Sequence, residues 1–270
     1  MLLSIKNVAK KAISPLRPRL KPSFFVIGAQ KAGTSALFKM LALHPQIIGP
    51  EKKEIHFFNR DTNYERGEQW YMEQFPLRPL RYKGELTFEA TPGYMYDARS
   101  ASRLQDLVPG ARFVAILRDP VRRAYSAWNM RHQFKDDPLH SSSYEPRGFE
   151  DCVKEEMLMG SNDNPLNDFL DRGDYAPQLA RYFDLFGRES VVVINYKDFN
   201  ADPESALDDI CKHVGVPAME NKGSIREMRF NKRPYSEKLS KTLEEELHQY
   251  FIPKLKDLND LLGYNIDLIE

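Results

Sequence analysis

Cysteine is scarce in this sequence, and its two copies lie far apart. Cys152 and Cys211 are the only cysteines among 270 residues, and neither lies in a Cys-x-x-Cys or Cys/His spacing of the kind that binds metal. Two cysteines cannot build a disulfide framework for a chain of this length. The six histidines form no metal-binding motif either. These absences predict that there is no metal site and that the protein works in a reducing compartment.

Net charge and long apolar runs are absent as well. The 39 lysines and arginines balance the 39 aspartates and glutamates, which argues against a dedicated nucleic-acid-binding protein. No apolar run approaches the roughly 20 residues of a membrane-spanning helix. Residues 1–22 are locally basic, with six basic side chains and no acidic one. We interpret them as a leader that packs, partly ordered, on the surface; a membrane-surface helix or a targeting peptide is the alternative.

What the sequence does contain is an alternation of buried-type strands with helical segments. It predicts one α/β domain over residues 23–270, a three-layer sandwich with a central, mostly parallel sheet flanked by helices. Ligands of such sheets bind at the carboxyl ends of the strands. We predict strands at 24–27, 82–88, 113–117 and 191–195. We predict helices at 34–43, 64–74, 98–107, 119–134, 174–186, 203–214 and 236–262.

The stretch FFVIGAQKAGTSALFKML, residues 24–41, has the order strand, glycine-containing loop, helix. Gly28 and Gly33 permit backbone conformations that other residues resist, so N–H groups can turn toward an anion at the start of the helix. Lys31 adds a full positive charge. The pattern predicts a P-loop-like phosphate site; a glycine turn with a surface lysine is the alternative. The predicted binding residues are Gln30, Lys31, Ala32, Gly33, Thr34 and Ser35.

The loop differs from the one that binds ATP or GTP. A Walker A loop has its lysine directly after the last glycine, and this chain has Thr34 there. The predicted strand FVAIL is followed by Arg118, and the predicted strand VVVIN ends in Asn195. Neither strand therefore ends in an aspartate that could hold magnesium. A P-loop nucleotide kinase is therefore the second hypothesis for this chain.

With HPQI at 44–47 and EIHFFN at 54–59, the loop resembles that of sulfotransferases that use 3′-phosphoadenosine 5′-phosphosulfate (PAPS). The pattern is most like that of the heparan-sulfate sulfotransferases and their bacterial relatives. The resemblance implies transfer of a sulfuryl group to an acceptor hydroxyl, or to an amine, with a carbohydrate as the expected acceptor. Lys31 would contact the sulfated 5′-phosphate and stabilise the leaving oxygen. Adenosine 3′,5′-bisphosphate would be the product, and no metal would be needed.

The family's 3′-phosphate motif is a strand, an arginine, and a serine eight positions later on the next helix. FVAILRDPVRRAYSAW places Arg118 and Ser126 at that spacing. Arginine grips a terminal phosphate through two hydrogen bonds, and serine adds a hydroxyl donor. The basic stretch RFNKRPYS resembles the family loop that closes over the cofactor, which implies phosphate contacts for Lys232 and Arg233.

The resemblance also assigns the acceptor side. Glu54 corresponds to the catalytic glutamate of the heparan-type enzymes, and His56 is the alternative base because small-molecule sulfotransferases use a histidine. The family segment E-K-[ST]-P-x-Y has Ala90 in place of its lysine here, and Lys53 or Lys83 could supply that charge. The expected residues of the substrate cleft are Lys53, Glu89, Thr91 and Tyr94.

Four questions remain open in the sequence: activity, location, acceptor and oligomeric state. A sulfotransferase-fold binding protein without activity is the non-enzyme alternative, with the missing lysine at Ala90 as its hint. If this is the full chain, a cytoplasmic enzyme of bacterial type is expected. A trimmed chain would instead fit the Golgi lumen. The identity of the acceptor and the oligomeric state are not encoded in any motif.

Overall fold

The computed structural model describes residues 17–160, 168–223, 225 and 238–269. Within them, four strands form one sheet in which every neighbouring pair is parallel. Strand order is β2-β1-β3-β4, and the two central strands are almost entirely buried. The predicted α/β class with a parallel central sheet is confirmed. The strands are β1 (Phe24–Gly28), β2 (Phe88–Ala90), β3 (Arg112–Leu117) and β4 (Val191–Asn195).

Helices flank this sheet and supply most of the remaining structure of the described residues. They are α1 (Thr34–Leu41), α2 (Asp61–Tyr64), α3 (Gly67–Met72), α4 (Ala98–Leu107), α5 (Pro120–His132), α6 (Phe149–Met159), α7 (Tyr175–Phe186), α8 (Tyr196–Ala201), α9 (Pro203–Val214) and α10 (Lys241–Leu262). Short 3₁₀ turns lie at Ser141–Ser143, Asp171–Gly173 and Arg188–Ser190.

Two predicted elements were wrong in extent. The strand predicted at 82–88 begins only at Phe88, because β2 is an edge strand whose pairing with β1 covers three residues. Leu86, just before it, bridges instead to Ile47 in the loop after α1. The helix predicted at 64–74 is shorter in the structure, where α3 covers Gly67–Met72. Tyr64 is the last residue of α2, and Gly67, with φ +79°, separates the two helices.

The helix after β3 begins as its sequence indicates. Asp119 caps α5 by accepting hydrogen bonds from the backbone N–H groups of Val121 (2.8 Å) and Arg122 (3.0 Å). Pro120 occupies the first helical position, where its missing N–H costs nothing. The cap fixes the direction in which the chain leaves β3, and therefore the position of Arg118.

The end of the basic leader packs against the body of the domain. Leu20 is buried, and its N–H donates to the carbonyl of Pro76 (2.9 Å). The N–H of Arg78 donates to Pro18 (2.8 Å). Residues 1–16 lie outside the described part of the chain, so the division at residue 22 stays a prediction. None of the described helices combines the length and apolarity that crossing a membrane requires.

Candidate active site

A cavity of about 1680 Å³ opens beside the carboxyl ends of β1 and β3. These strands are adjacent, so the loop after β1 and the residue after β3 meet at one edge of the sheet. The sequence-predicted residues that line the cavity are Gln30, Lys31, Gly33, Thr34, Ser35, Lys53, Glu54, His56, Arg118 and Ser126.

The loop after β1 is shaped for an anion. Lys31 and Gly33 have φ of +71° and +85°, in the left-handed region. Gly33 is the N-cap of α1, and its carbonyl accepts the N–H groups of Ala36 (2.9 Å) and Leu37 (3.1 Å). The N–H groups of Thr34 and Ser35, at the first two helical positions, have no carbonyl partner within the helix, and both residues line the cavity. The start of α1 therefore provides donors and a positive dipole end.

Arg118 lies directly against this loop. Its Nη1 donates to the carbonyl of Lys31 (3.1 Å), and its guanidinium lies 4.8 Å from the ring centre of Tyr196. Its Nε is buried and has no hydrogen-bond partner among the described residues. The backbone of Arg118 is held separately, because the hydroxyl of Tyr175 donates to its carbonyl (2.8 Å). A fixed arginine with unused donor capacity fits a terminal phosphate.

Ser126 lies two turns into α5 and faces the same cavity, half-buried. Met130 follows one turn later, with its sulfur 3.5 Å from Nζ of Lys31. The face of α5 thus joins the two predicted phosphate-binding regions. Tyr196 and Phe199 of α8 complete this end of the cavity with aromatic surface, which sequence reasoning missed because α8 was not predicted.

At another part of the cavity, Glu54 lies between two basic side chains. Lys53 donates from Nζ to Glu54 Oε1. Nε2 of His56 lies 3.5 Å from Oε2, and its Nδ1 lies 3.2 Å from Oδ1 of Asn59. Burial acts to raise the pKa of Glu54, but His56 and Lys53 outweigh it and lower that pKa to about 2. The carboxylate is therefore ionised at neutral pH and oriented by both neighbours.

The two candidates for the missing family lysine differ in position. Lys53 lines the cavity and contacts Glu54, whereas Lys83 is exposed and does not line it. Ala90 is buried, and its carbonyl accepts the N–H of Glu54 (3.1 Å). Of the two lysines, Lys53 is the one placed to bring positive charge to this part of the site.

Three residues predicted for the substrate cleft lie behind its wall instead. Glu89, Thr91 and Tyr94 are each 0% exposed and do not line the cavity. They are linked to one another, because the hydroxyls of Thr91 (2.7 Å) and Tyr94 (2.5 Å) donate to Oε1 of Glu89. Direct contact with an acceptor, as expected from the sequence, does not agree with this burial. Ala32 of the phosphate loop is likewise buried and does not line this cavity.

Further charged residues reach the cavity from segments that no motif marked. Asp168 is buried and pairs with Arg131 (3.1 Å) and Arg172. Because these residues come from distant parts of the chain, their meeting depends on the fold and has no local sequence signal. Other lining residues missed in this way are Tyr96, Asp97, Arg99, Asp171, Asp174 and Arg181.

Two predicted contacts fall outside the structure's description. Lys232 and Arg233 lie within residues 226–237, which are not described, so their role stays a prediction. In the described part of the chain, histidine, cysteine, aspartate and glutamate side chains form no group of three or more that could hold a metal ion.

Comparisons with known proteins identify relatives of this chain. Residues 21–256 match the family model described as "Sulfotransferase domain". The human bifunctional heparan sulfate N-deacetylase/N-sulfotransferase 3 is 34% identical over 202 residues, covering 72% of this chain and 22% of its own length. The mouse enzyme numbered 4 of that series is 33% identical over 207 residues, with the same coverage. The chain thus spans about a fifth of the length of these curated relatives.

Solved structures give the same relationship at the level of the fold. A crystal structure of a sulfotransferase from Alicyclobacillus acidocaldarius has a TM-score of 0.71 and 32% identity, covering 91% of this chain and 97% of that one. The mouse sulfotransferase SULT7A1 complexed with PAP has a TM-score of 0.54 and 13% identity, covering 93% and 92%. At that identity, the second match concerns the fold alone.

Proposed function

The chain belongs to the sulfotransferase domain family, and from that premise we propose that it transfers a sulfuryl group from PAPS to a carbohydrate hydroxyl, with Glu54 as base. That it is a sulfotransferase follows from the family, and the nucleotide-kinase hypothesis is set aside. One observation carries the finer proposal. The Lys31 loop, the Arg118–Ser126 pair and Glu54 line a single cavity at the carboxyl ends of two adjacent strands.

The residues present fit a nucleotide with phosphate groups at both ends of its sugar. Lys31 and the first turn of α1 would hold the 5′ end, and Arg118 with Ser126 would hold the 3′-phosphate. The hydrogen bond to the carbonyl of Lys31 uses one of the five N–H donors of Arg118, which leaves donors for such a phosphate. The ring of Tyr196, which already stacks with Arg118, offers a surface for the base. When bound, PAPS supplies the sulfuryl group attached to its 5′-phosphate.

The chain's own residues account for the other requirements of the transfer. Lys31 places positive charge where the leaving oxygen develops negative charge. Glu54 accepts the proton of the acceptor hydroxyl as the new S–O bond forms. Lys53 orients Oε1 of Glu54 and His56 approaches Oε2 at 3.5 Å, so the carboxylate is held in place as it takes the proton. Lys53 offsets charge beside the transferred group.

Gly33→Ala tests the cradle of the phosphate loop. An added Cβ would lie 3.1 Å from the ring of Phe199 and 3.2 Å from that of Tyr196, at φ +85°. We expect affinity for adenosine 3′,5′-bisphosphate to fall roughly tenfold, a loss of about 1.4 kcal/mol. Gly215→Ala is the matched control, because Gly215 has φ +83° and its added Cβ meets nothing within 4 Å.

Both substitutions should cost roughly 1–2 kcal/mol of unfolding free energy through the left-handed backbone alone. Calorimetric titration then separates the effects, since only Gly33→Ala should lose nucleotide affinity. Equal affinities in the two variants would mean that the rings of α8 do not form part of the nucleotide site.

The acceptor is the part of the proposal that depends most on relatives. The curated relatives are named as heparan sulfate N-sulfotransferases, which supports a glycan acceptor for this chain. Because those relatives are named N-sulfotransferases, an acceptor with a free amine is included in the test beside hydroxyl acceptors. A cytoplasmic location of bacterial type stays a prediction.

The deciding experiment is transfer of labelled sulfate from PAPS to a panel of acceptors, in the presence of EDTA. The panel contains a neutral oligosaccharide, a partly N-deacetylated glycan, a phenol and a hydroxylated lipid. We expect label on the carbohydrates. Label on the phenol alone would overturn the glycan proposal. Tight binding of adenosine 3′,5′-bisphosphate without any transfer would favour the inactive binding protein.

A further inference from the structure

Behind the Glu54 end of the cavity lies a carboxylate that the proposed reaction does not use. Glu89 of β2 is 0% exposed. Three hydroxyl groups donate to it: Tyr71 to Oε2 (2.5 Å), and Thr91 (2.7 Å) and Tyr94 (2.5 Å) to Oε1. All three partners are themselves fully buried. A charge at this depth is tolerated only with such a set of donors.

The network fixes the direction in which Tyr94 donates. A phenol has one proton, and Tyr94 gives it to Oε1 of Glu89, so its oxygen is left as an acceptor. It receives the N–H of Phe57 at 2.9 Å, with the N–H of Phe58 at 3.4 Å. A proton bound to Glu89 would lie on Oε2, facing Tyr71, and would leave the Oε1 side unchanged. The direction of donation is therefore fixed: the N–H of Phe57 donates to Tyr94, and Tyr94 donates to Glu89.

The segment that Tyr94 holds is the one that carries both candidate bases. Glu54 and His56 have φ of +62° and +57°, a conformation that non-glycine residues keep only where their surroundings impose it. The N–H of Glu54 donates to the carbonyl of Ala90, the neighbour of Glu89. On the other side, the amide of Asn63 donates to the carbonyl of His56 (3.2 Å). The backbone of the segment is therefore held at Glu54 and at His56, and Tyr94 holds it at Phe57, the residue directly after His56.

We propose that Glu89 and Tyr94 are positioning residues: the buried carboxylate orients the Tyr94 hydroxyl, which holds the backbone of Phe57 and thereby keeps Glu54 and His56 aimed into the cavity. The inference rests on the proposed function, in which that segment supplies the base. It gives the core network a part in catalysis without contact with either substrate.

The chain provides a matched pair of variants. Tyr94→Phe and Tyr71→Phe each remove one hydroxyl from Glu89, and both rings are fully buried against Phe58. Only Tyr94 continues to the backbone of the reacting segment. We expect Tyr94→Phe to lower kcat by about 10- to 100-fold, the effect of displacing a reacting group by a fraction of an ångström to an ångström. Tyr71→Phe should keep kcat close to that of the parent.

The readout is kcat, the KM for PAPS and the affinity for adenosine 3′,5′-bisphosphate, with the folded fraction matched by circular dichroism. The positioning role predicts a loss in kcat alone. Equal kcat in the two variants, or a loss of nucleotide affinity that parallels the fall in kcat, would overturn the proposal.

A second pair at Glu89 answers the same question if Tyr94→Phe does not fold. Glu89→Gln keeps an oxygen toward Tyr94 and can turn its amide donors toward Tyr71, so kcat should be retained. Glu89→Met removes the acceptor and leaves the buried hydroxyls of Tyr71, Thr91 and Tyr94 without it, so some stability is lost. In the folded fraction, kcat should fall. The same kcat in both variants would contradict the inference. Glu54→Gln separates the proposed function from the positioning role. If Glu54→Gln is fully active, the assignment of Glu54 as base fails. If Glu54→Gln is inactive while Tyr94→Phe and Tyr71→Phe have the same kcat, only the positioning role is refuted.

Discussion

Glu54→Gln is expected to lower kcat by about 10²- to 10⁴-fold, the range that a general base contributes, while nucleotide binding is kept. Glutamine has nearly the shape of glutamate but cannot accept a proton from a hydroxyl. Lys31, Arg118 and Ser126 would be unaffected, since Glu54 contacts Lys53 and His56 rather than the phosphate loop. Single-turnover transfer measured beside calorimetric titration with adenosine 3′,5′-bisphosphate separates the two quantities.

The pH profile distinguishes the two candidate bases. The pKa of Glu54 is lowered to about 2, because the contacts with His56 and Lys53 exceed the opposing effect of burial. A depressed carboxylate pKa means that the ionised form is present above that value and is lost only as the pH falls through about 2. With Glu54 as base, kcat should therefore stay level between about pH 8 and pH 5, where an imidazole base would become protonated. A fall in kcat over that range, together with an active Glu54→Gln variant, would promote His56.

The nucleotide half of the site could be read from the sequence because its signals are local. A buried strand, a loop with glycines and the start of a helix are contiguous, and the structure places them at β1, Gly33 and α1. Arg118 is predictable for the same reason, as the residue between β3 and the Asp119-Pro120 helix start. Because β1 and β3 pair in parallel, the residues that follow the two strands lie at the same edge of the sheet.

The supporting shell could not be read in this way. Glu89 and Tyr94 look like surface-cleft residues in a motif, and their burial depends on β2 being packed beneath the segment that contains Phe57 and Phe58. The length of β2 is set by its pairing with β1, which covers three residues. The pattern of apolar and polar residues along β2 itself does not indicate where that pairing begins. Pairing of Asp168 with Arg131 likewise joins residues 37 positions apart, so it follows from the tertiary fold.

Arg118→Ala is expected to weaken binding of adenosine 3′,5′-bisphosphate by about 2–4 kcal/mol, as when one partner of a buried, hydrogen-bonded charge pair is removed. The backbone should stay in place, since the hydroxyl of Tyr175 holds the carbonyl of residue 118. Arg188→Ala is the matched control. Arg188 also donates through Nη1 to a carbonyl, that of Val191 (2.9 Å), and also lies 4.8 Å from an aromatic ring centre, that of Phe183, but it does not line the cavity.

A second ligand locates the lost interaction on the nucleotide. If Arg118 holds the 3′-phosphate, Arg118→Ala should weaken adenosine 3′,5′-bisphosphate strongly and adenosine 5′-monophosphate little, because the latter lacks that group. Equal losses for both ligands would mean that Arg118 acts through its hydrogen bond to the carbonyl of Lys31, by supporting the 5′-phosphate loop. The two contacts of one guanidinium are thereby separated: one N–H of Nη1 is committed to the loop, and the other N–H donors of the guanidinium can serve the second phosphate.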